Sequence, residues 1–150
     1  MKKIIIFPGS FDPFTKGHEY IVLKSIKFFD KIIICINSNI NKKRYFSAEK
    51  MIFCINNIFY KNKKIKIIKY NILTFLLTKK YNTNYIVRGI RNVKDFEYEK
   101  NIFFINNYLN NTIETVFFIT PPEYSYINST IIREIHKYGL CINSFLPYNL

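Results

Sequence analysis

Five short runs of β-branched and other apolar residues recur along the chain, and each is followed by a stretch with helical spacing. The runs are Lys3 to Phe7, Lys31 to Asn37, Ile65 to Tyr70, Asn84 to Arg88 and Glu114 to Ile119. Lys31-Ile-Ile-Ile-Cys-Ile-Asn37 is apolar at every interior position. A strand built from it must be covered on both faces. The segments between read as helices: Gly17 to Phe29 with Val22, Ile26 and Phe29 at helical spacing, Ser47 to Phe59, Leu73 to Lys80, Phe96 to Leu109 with Tyr98, Ile102, Ile105 and Leu109 on one face, and Ser129 to Lys137. Ser47 suits an N-cap and Glu49 the helix dipole, while Lys50 stands where a full capping box has Glu. The order βαβαβαβαβα with right-handed crossovers predicts an α/β fold: a doubly wound five-stranded parallel sheet with helices on both faces. No linker, repeat or low-complexity tract breaks it, so residues 1–150 read as a single domain.

Composition bounds the function. The chain carries 23 Lys and Arg against 10 Asp and Glu, a net charge of +13, which suits polyanionic partners. Only Arg44, Arg88, Arg91 and Arg133 are arginines, and Ala48 is the sole alanine. Heavy use of Ile, Asn, Lys, Phe and Tyr is the imprint of an AT-rich coding sequence, which inflates Lys whatever the function. The four arginines, kept against that bias, are the better leads. Cys35, Cys54 and Cys141 are too few and too scattered for a disulfide framework or a metal site. No apolar stretch reaches the length of a secretory signal or a membrane span, so the sequence reads as cytoplasmic, with no membrane partner.

In such sheets ligands bind beyond the carboxyl ends of the strands. After Phe7 comes Pro8-Gly-Ser-Phe-Asp-Pro-Phe-Thr-Lys-Gly-His18, a loop that feeds a helix N-terminus, where free N–H groups favour phosphate. His18 lies on the sheet-facing row of that helix, over the sheet edge near Gly9 and Ser10. Its ring N–H is placed to stabilise charge developing on a phosphoryl oxygen. The plainer reading is a helix-capping His. After the second strand, Lys42 is placed for an anion contact, whereas Lys43 reads equally well as solvated. After the fourth strand, Arg88-Gly-Ile-Arg91 sets two guanidiniums about a glycine, a geometry suited to clamping phosphate. The competing reading is structural ion pairing with Glu97 or Glu99. Asn128, Ser129 and Thr130 read as an ordinary N-cap of the last helix.

Together these strings, with Asp95-Phe-Glu-Tyr-Glu99 and Ile127-Asn-Ser-Thr130, resemble the nucleotidylyltransferase superfamily and, within it, the bacterial phosphopantetheine adenylyltransferase family. The resemblance covers about four-fifths of the chain, in order. It implies a Rossmann-like nucleotidyltransferase fold and reversible adenylyl transfer from ATP to 4′-phosphopantetheine, giving dephospho-coenzyme A and pyrophosphate. It also implies Mg2+ accompanying ATP, no covalent intermediate, a homohexamer, and coenzyme A as a feedback ligand. The attacking group is itself a phosphate, which accounts for the absence of a nucleophile–base pair. Carried over by position, His18 stabilises the transition state, with Lys42 and Arg91 also catalytic. Ser10, Phe11, His18, Gly89, Ile90, Arg91, Glu99, Tyr124, Ser125, Tyr126, Ile127, Asn128, Ser129 and Thr130 surround ATP. Ser10, Lys42, Thr74 and Arg88 hold phosphopantetheine. Asn128 stands where the family usually has Ser, Ile72 where a small or acidic residue is common, and the usual final helix is cut short at Leu150.

Two alternatives remain at the level of sequence. One is another nucleotidyl transfer, to a nicotinamide or glycerol phosphate, against which the Arg88 and Asp95 strings speak. The other is a nucleic-acid-binding module driven by net charge. The chain has no RNP-like aromatic motif, zinc finger or basic helix, so nucleic acid is not expected as a partner.

Overall fold

The apolar runs form one sheet in the computed structural model, which describes residues 2–39 and 43–150. The strands are β1 (Ile4–Gly9), β2 (Lys31–Asn37), β3 (Ile65–Tyr70), β4 (Tyr85–Ile90) and β5 (Glu114–Ile119). The helices are α1 (Lys16–Ser25), α2 (Ala48–Phe59), α3 (Thr74–Lys80), α4 (Val93–Leu109), α5 (Pro122–Ser125) and α6 (Ser129–Lys137). All strand pairs are parallel, in the order β3-β2-β1-β4-β5. The direction of winding reverses between β1 and β4, so their carboxyl ends flank the switch-point crevice.

Successive residues of a strand face opposite ways, and the core divides accordingly. Ile5, Phe7, Ile32, Ile34, Ile36 and Val87 join the layer that α1, α2 and α6 cover. Ile6, Ile33, Cys35 and Ile86 join Leu77 of α3 on the other face. Near-continuous burial of β1 and β2 on both faces is the reason their sequences are almost unbroken isoleucine.

Several boundaries differ from the sequence reading. β1 runs on through Pro8 and Gly9, which pair with Cys35 and Ile36. Pairing of β1 with β4 stops at Ile6. Pro8 therefore faces a gap where its missing N–H costs nothing, and the Arg88 guanidinium takes its carbonyl instead. β4 continues through Gly89 and Ile90 because β5 still pairs with them. Glycine at 89 leaves room for Ile21 of α1, which lies 3.0 Å from where a Cβ would stand. α1 ends at Ser25, with hydrogen-bonded turns after it, and α4 begins at Val93 because Asn92 caps the Asp95 N–H. α5 is an additional short helix opened by Pro121-Pro122.

α4 departs most. Its sequence-predicted apolar face is divided: Ile105 and Leu109 are exposed, Ile102 is half-buried and Tyr98, though exposed, edges a pocket, while Glu99 and Asn106 are buried. Its inner face serves a pocket instead of a hydrocarbon core.

Phe14 is fully buried and joins the loop after β1 to the core, its ring 5.5 Å from that of His18 and 6.3 Å from Phe59. Phe14→Ala is expected to cost about 3–5 kcal/mol of stability, read from urea unfolding. A cost below about 1 kcal/mol would show that the ring is not part of the core.

Candidate functional site

From Pro8 at the end of β1 to Phe14 in the loop after it, main-chain carbonyls are taken by side chains distant in sequence. Pro8 O accepts from Arg88. Ser10 O and Phe11 O accept from Arg44, at 2.7 and 3.2 Å. Asp12 O accepts from Arg133 at 2.5 Å, Pro13 O from the Ser129 hydroxyl at 3.1 Å and Phe14 O from the Tyr148 hydroxyl at 2.8 Å. In a trans peptide the N–H points opposite to the C=O. Pinning the Ser10 and Phe11 carbonyls therefore turns the Phe11 and Asp12 N–H groups to the other side of the loop.

Phe11 itself sits at φ +47°, the left-handed region that costs a bulky residue about 1–3 kcal/mol. Its ring is held by Phe7 and His18, each at 5.0 Å between centroids. The same ring lies 2.9 Å from where a Cβ on Gly9 would be, so position 9 admits only glycine without moving it.

Thr15 caps α1, and His18 completes the cap: the Thr15 N–H donates to His18 Nδ1 at 3.0 Å. The capping reading of His18 thus holds without displacing the chemical one. With Nδ1 as acceptor, the neutral ring carries its proton on Nε2 as a donor. Burial, then the charges of Arg91 and Arg88, depress its pKa to about 3. His18 is therefore a neutral imidazole at ordinary pH.

His18 lines a cavity of about 350 Å3 together with Ser10, Arg88, Gly89, Arg91 and Ser129. A second cavity of about 220 Å3 shares Pro8, Gly9, Ser10, Arg88, Tyr98 and Glu99 with it. The second is lined in part by Thr74, Ile102, Phe103, Asn106 and Thr115. Two chambers thus meet at Ser10 and Arg88.

Both guanidiniums expected to clamp phosphate are backed by acids. Arg88 holds Glu99 through Nε at 2.7 Å and Nη2 at 2.5 Å. Arg91 holds Asp95 through Nε at 2.8 Å and Nη2 at 3.0 Å, and donates from Nη1 to Ile127 O. Burial opposes the charge of Asp95, but the hydrogen bonds and charge of Arg91 outweigh it and hold the carboxyl below its usual range. Each arginine has three of its five N–H donors engaged, leaving two. The ion-pair reading and the anion reading are therefore compatible, although the partners are Glu99 and Asp95 and not Glu97, which pairs with Lys100.

The other expected residues fall as follows. Phe11, Glu99, Ile127, Asn128 and Thr130 line the larger chamber. Asn128 caps α6 by accepting from the Thr130 N–H at 2.8 Å. Ile90 is buried. Tyr124 packs beside Gly17 and Tyr20, the Ser125 hydroxyl donates to Pro122 O, and Tyr126 is exposed, so these three stand on α5 and just after it. Lys42 lies outside the described residues. Sequence reasoning missed Asp12, whose carboxylate accepts the Tyr45 and Phe46 N–H groups at 2.8 Å, and the carbonyl-binding roles of Arg44 and Arg133. The signal was present as two more arginines kept in a lysine-rich chain.

Among the described residues no three His, Cys, Asp or Glu side chains gather as a metal cage. The chamber acids Asp12, Asp95 and Glu99 are each committed to N–H donors. These residues do not fit a metal site built from protein alone.

Residues 6–135 match the cytidylyltransferase-like family. The phosphopantetheine adenylyltransferase of Cytophaga hutchinsonii is 47% identical over 150 residues, all of both chains. That of Bacteroides thetaiotaomicron is 46% identical over 142 residues, 95% of this chain and 93% of the relative. That of Clostridium botulinum is 39% identical over 145 residues, 97% of this chain and 91% of the relative. Among solved structures, a bifunctional NMN adenylyltransferase/ADP ribose pyrophosphatase from Francisella tularensis superposes on all of this chain with a TM-score of 0.72. At 19% identity over 46% of that longer chain, the likeness is one of fold alone.

The state of His18 is directly measurable. An unfolded histidine takes up a proton near pH 6.5, whereas folded His18 does so only near pH 3, so the fold loses stability as the pH falls from about 6.5 toward 3. In an NMR titration of the ligand-free protein, the His18 ring signals are expected to stay still between about pH 8 and 5. A midpoint near 6.5 would refute the neutral-donor assignment.

Proposed function

The chain belongs to the phosphopantetheine adenylyltransferases of the cytidylyltransferase-like family, and from that premise we propose that it transfers the adenylyl group of ATP to 4′-phosphopantetheine, releasing pyrophosphate. The observation that carries this reading is the pair of chambers joined at Ser10 and Arg88, with neutral His18 in the wall of one. The larger chamber has the helix N-termini and arginines that suit the phosphates of ATP. The smaller one is flanked by apolar side chains and carries the Asn106 amide and the Thr115 hydroxyl, the latter buried with no hydrogen-bond partner among the described residues. An extended arm bearing amides suits that lining.

In the proposed reaction, a phosphate oxygen of phosphopantetheine forms a bond to the α-phosphorus of ATP. The bond from that phosphorus to the bridging oxygen breaks, and pyrophosphate leaves with the electron pair. The attacking group is already anionic, so no general base is needed, and catalysis reduces to alignment and charge stabilisation. His18 Nε2–H donates to the α-phosphoryl oxygen. Arg91, and Lys42 beyond the described residues, neutralise phosphate charge. Thr74 and Arg88 hold the acceptor. Magnesium accompanying ATP would supply charge neutralisation as part of the substrate, in keeping with the committed acids of the chamber.

A homo-oligomer, a hexamer by family resemblance, belongs to the same proposal. Outward-turned Phe104, Ile105, Tyr108 and Leu109 of α4 form an apolar face that suits a second copy. Coenzyme A, which shares the arm and adenylate of the product, would compete at this site. A cytoplasmic location fits the three unpaired cysteines.

A coupled pyrophosphate-release assay with magnesium-ATP and phosphopantetheine tests the activity. Turnover with these substrates is expected, and little with CTP, nicotinamide mononucleotide or glycerol phosphate. Preference for any of the latter would overturn the assignment.

Two variants divide the roles. His18→Ala is expected to lower kcat by about 10²-fold or more, and unchanged turnover would remove His18 from the mechanism. Arg88→Ala is expected to raise KM for phosphopantetheine more than for ATP. It also strands the buried Glu99 carboxylate, at a stability cost of about 3 kcal/mol. An equal rise in both KM values would show that the two chambers are assigned wrongly.

A further inference from the structure

We propose that Arg44 is a positioning residue for the adenylyl transfer, acting through the main chain of the loop after β1. The inference rests on the reaction proposed above. Its guanidinium engages four main-chain carbonyls: Nη1 reaches Ser10 O at 2.7 Å and Asn37 O at 2.9 Å, Nη2 reaches Phe11 O at 3.2 Å, and Nε reaches Phe46 O at 3.0 Å. Among the described residues it makes no ion pair with a carboxylate. Three structures are fastened at one point: the carboxyl end of β2, the loop after β1, and the segment entering α2.

The bond is reciprocated. Asp12, in the loop that Arg44 grips, accepts the N–H groups of Tyr45 and Phe46, the two residues after Arg44. Neither strand of this exchange is a helix or sheet hydrogen bond. The two loops therefore have no regular ladder to fix their spacing, and these side chains fix it.

The peptide groups gripped are the ones that flank the left-handed Phe11. An arginine fork holding both flanking carbonyls sets the rotation of two successive peptide planes. The N–H groups of Phe11 and Asp12 then face away from Arg44, and no acceptor for them is found among the described residues. A phosphoryl group beside Ser10 is the acceptor their direction suits. Lysine cannot replace this arrangement. A single ammonium supplies a point charge, whereas four carbonyls in different directions require the planar fork.

The test uses the full chain with Arg44→Met, which keeps an unbranched stem and removes the donors, and Arg44→Lys, which keeps the charge. Thermal unfolding and near-ultraviolet circular dichroism give the folded fraction of each, and all rates are stated per folded enzyme. Both variants are expected to lose about 10²-fold in kcat, the scale of a slight misplacement of reacting groups. KM for phosphopantetheine is expected to stay near the wild-type value, because Arg44 does not line its chamber. Free guanidinium added to Arg44→Met is expected to restore part of the lost turnover.

A kcat within about twofold of wild type in either variant would overturn the proposal. So would a loss in Arg44→Met that tracks the folded fraction alone and does not respond to guanidinium. If Arg44→Met does not fold, Arg44→Lys decides by the same readings. If neither folds, Arg44 is a folding residue and the proposal is overturned. A wild-type chain that releases no pyrophosphate would instead overturn the adenylyl-transfer reading, and this inference with it. An active wild type beside an unimpaired Arg44→Met would overturn the role of Arg44 alone.

Discussion

The site depends on one constraint: the Pro8 carbonyl at the end of β1 and five carbonyls of the loop between β1 and α1 are held by side chains distant in sequence. Arg88 comes from β4, Arg44 from the segment before α2, Ser129 and Arg133 from α6, and Tyr148 from beyond it. A loop gains anion affinity only if its N–H groups stay on one side. Here that side is chosen at Phe11 and Asp12, because Arg44 holds the Ser10 and Phe11 carbonyls on the other. Hydrogen bonds from charged donors contribute roughly 1.5–3 kcal/mol each. A few of them offset the left-handed conformation of Phe11 and keep the loop formed before substrate arrives.

Preorganisation also accounts for the acid-backed arginines. Of three cations of the larger chamber, Arg88 and Arg91 pair with Glu99 and Asp95, while Arg133 donates to the main-chain carbonyl of Asp12. An arginine without a partner swings through many rotamers, and ordering it is a cost taken at binding. Glu99 and Asp95 hold two of the forks in place in advance and leave N–H groups over for a ligand. The neutral state of His18 belongs to the same arrangement. Its burial among phenylalanines and the neighbouring cations keep the ring uncharged, so it adds a hydrogen bond where the arginines supply the charge.

The sequence made the sheet legible because buried parallel strands have a direct signature in Ile-rich runs, and all five strands appear where those runs lie. Strand ends were less legible. Whether β1 stops at Phe7 or Gly9 depends on which neighbours still pair there, and that is a property of β2 and β4. The face of α4 was illegible for a related reason: apolar periodicity marks a surface that wants cover without saying what covers it. At the site, His18, Arg88 and Arg91 could be found because a short string places each of them beside a strand end. Arg44 was visible only as a rare residue type. Its partners are carbonyls, which every residue has, so no sequence pattern points to them.

Charge separates in the same way. The net +13 is mostly lysine, yet among the described residues the walls of the larger chamber carry arginine and no lysine. A solvated ammonium contributes to long-range attraction of anionic substrates, which salt screens over about 8–10 Å. A guanidinium fixed by several hydrogen bonds sets the direction of its remaining donors, and salt does not screen direction. Compositional drift toward lysine can therefore raise the net charge of this chain without touching the site. Drift that replaced Arg44, Arg88 or Arg133 by lysine would leave the charge unchanged and loosen the loop.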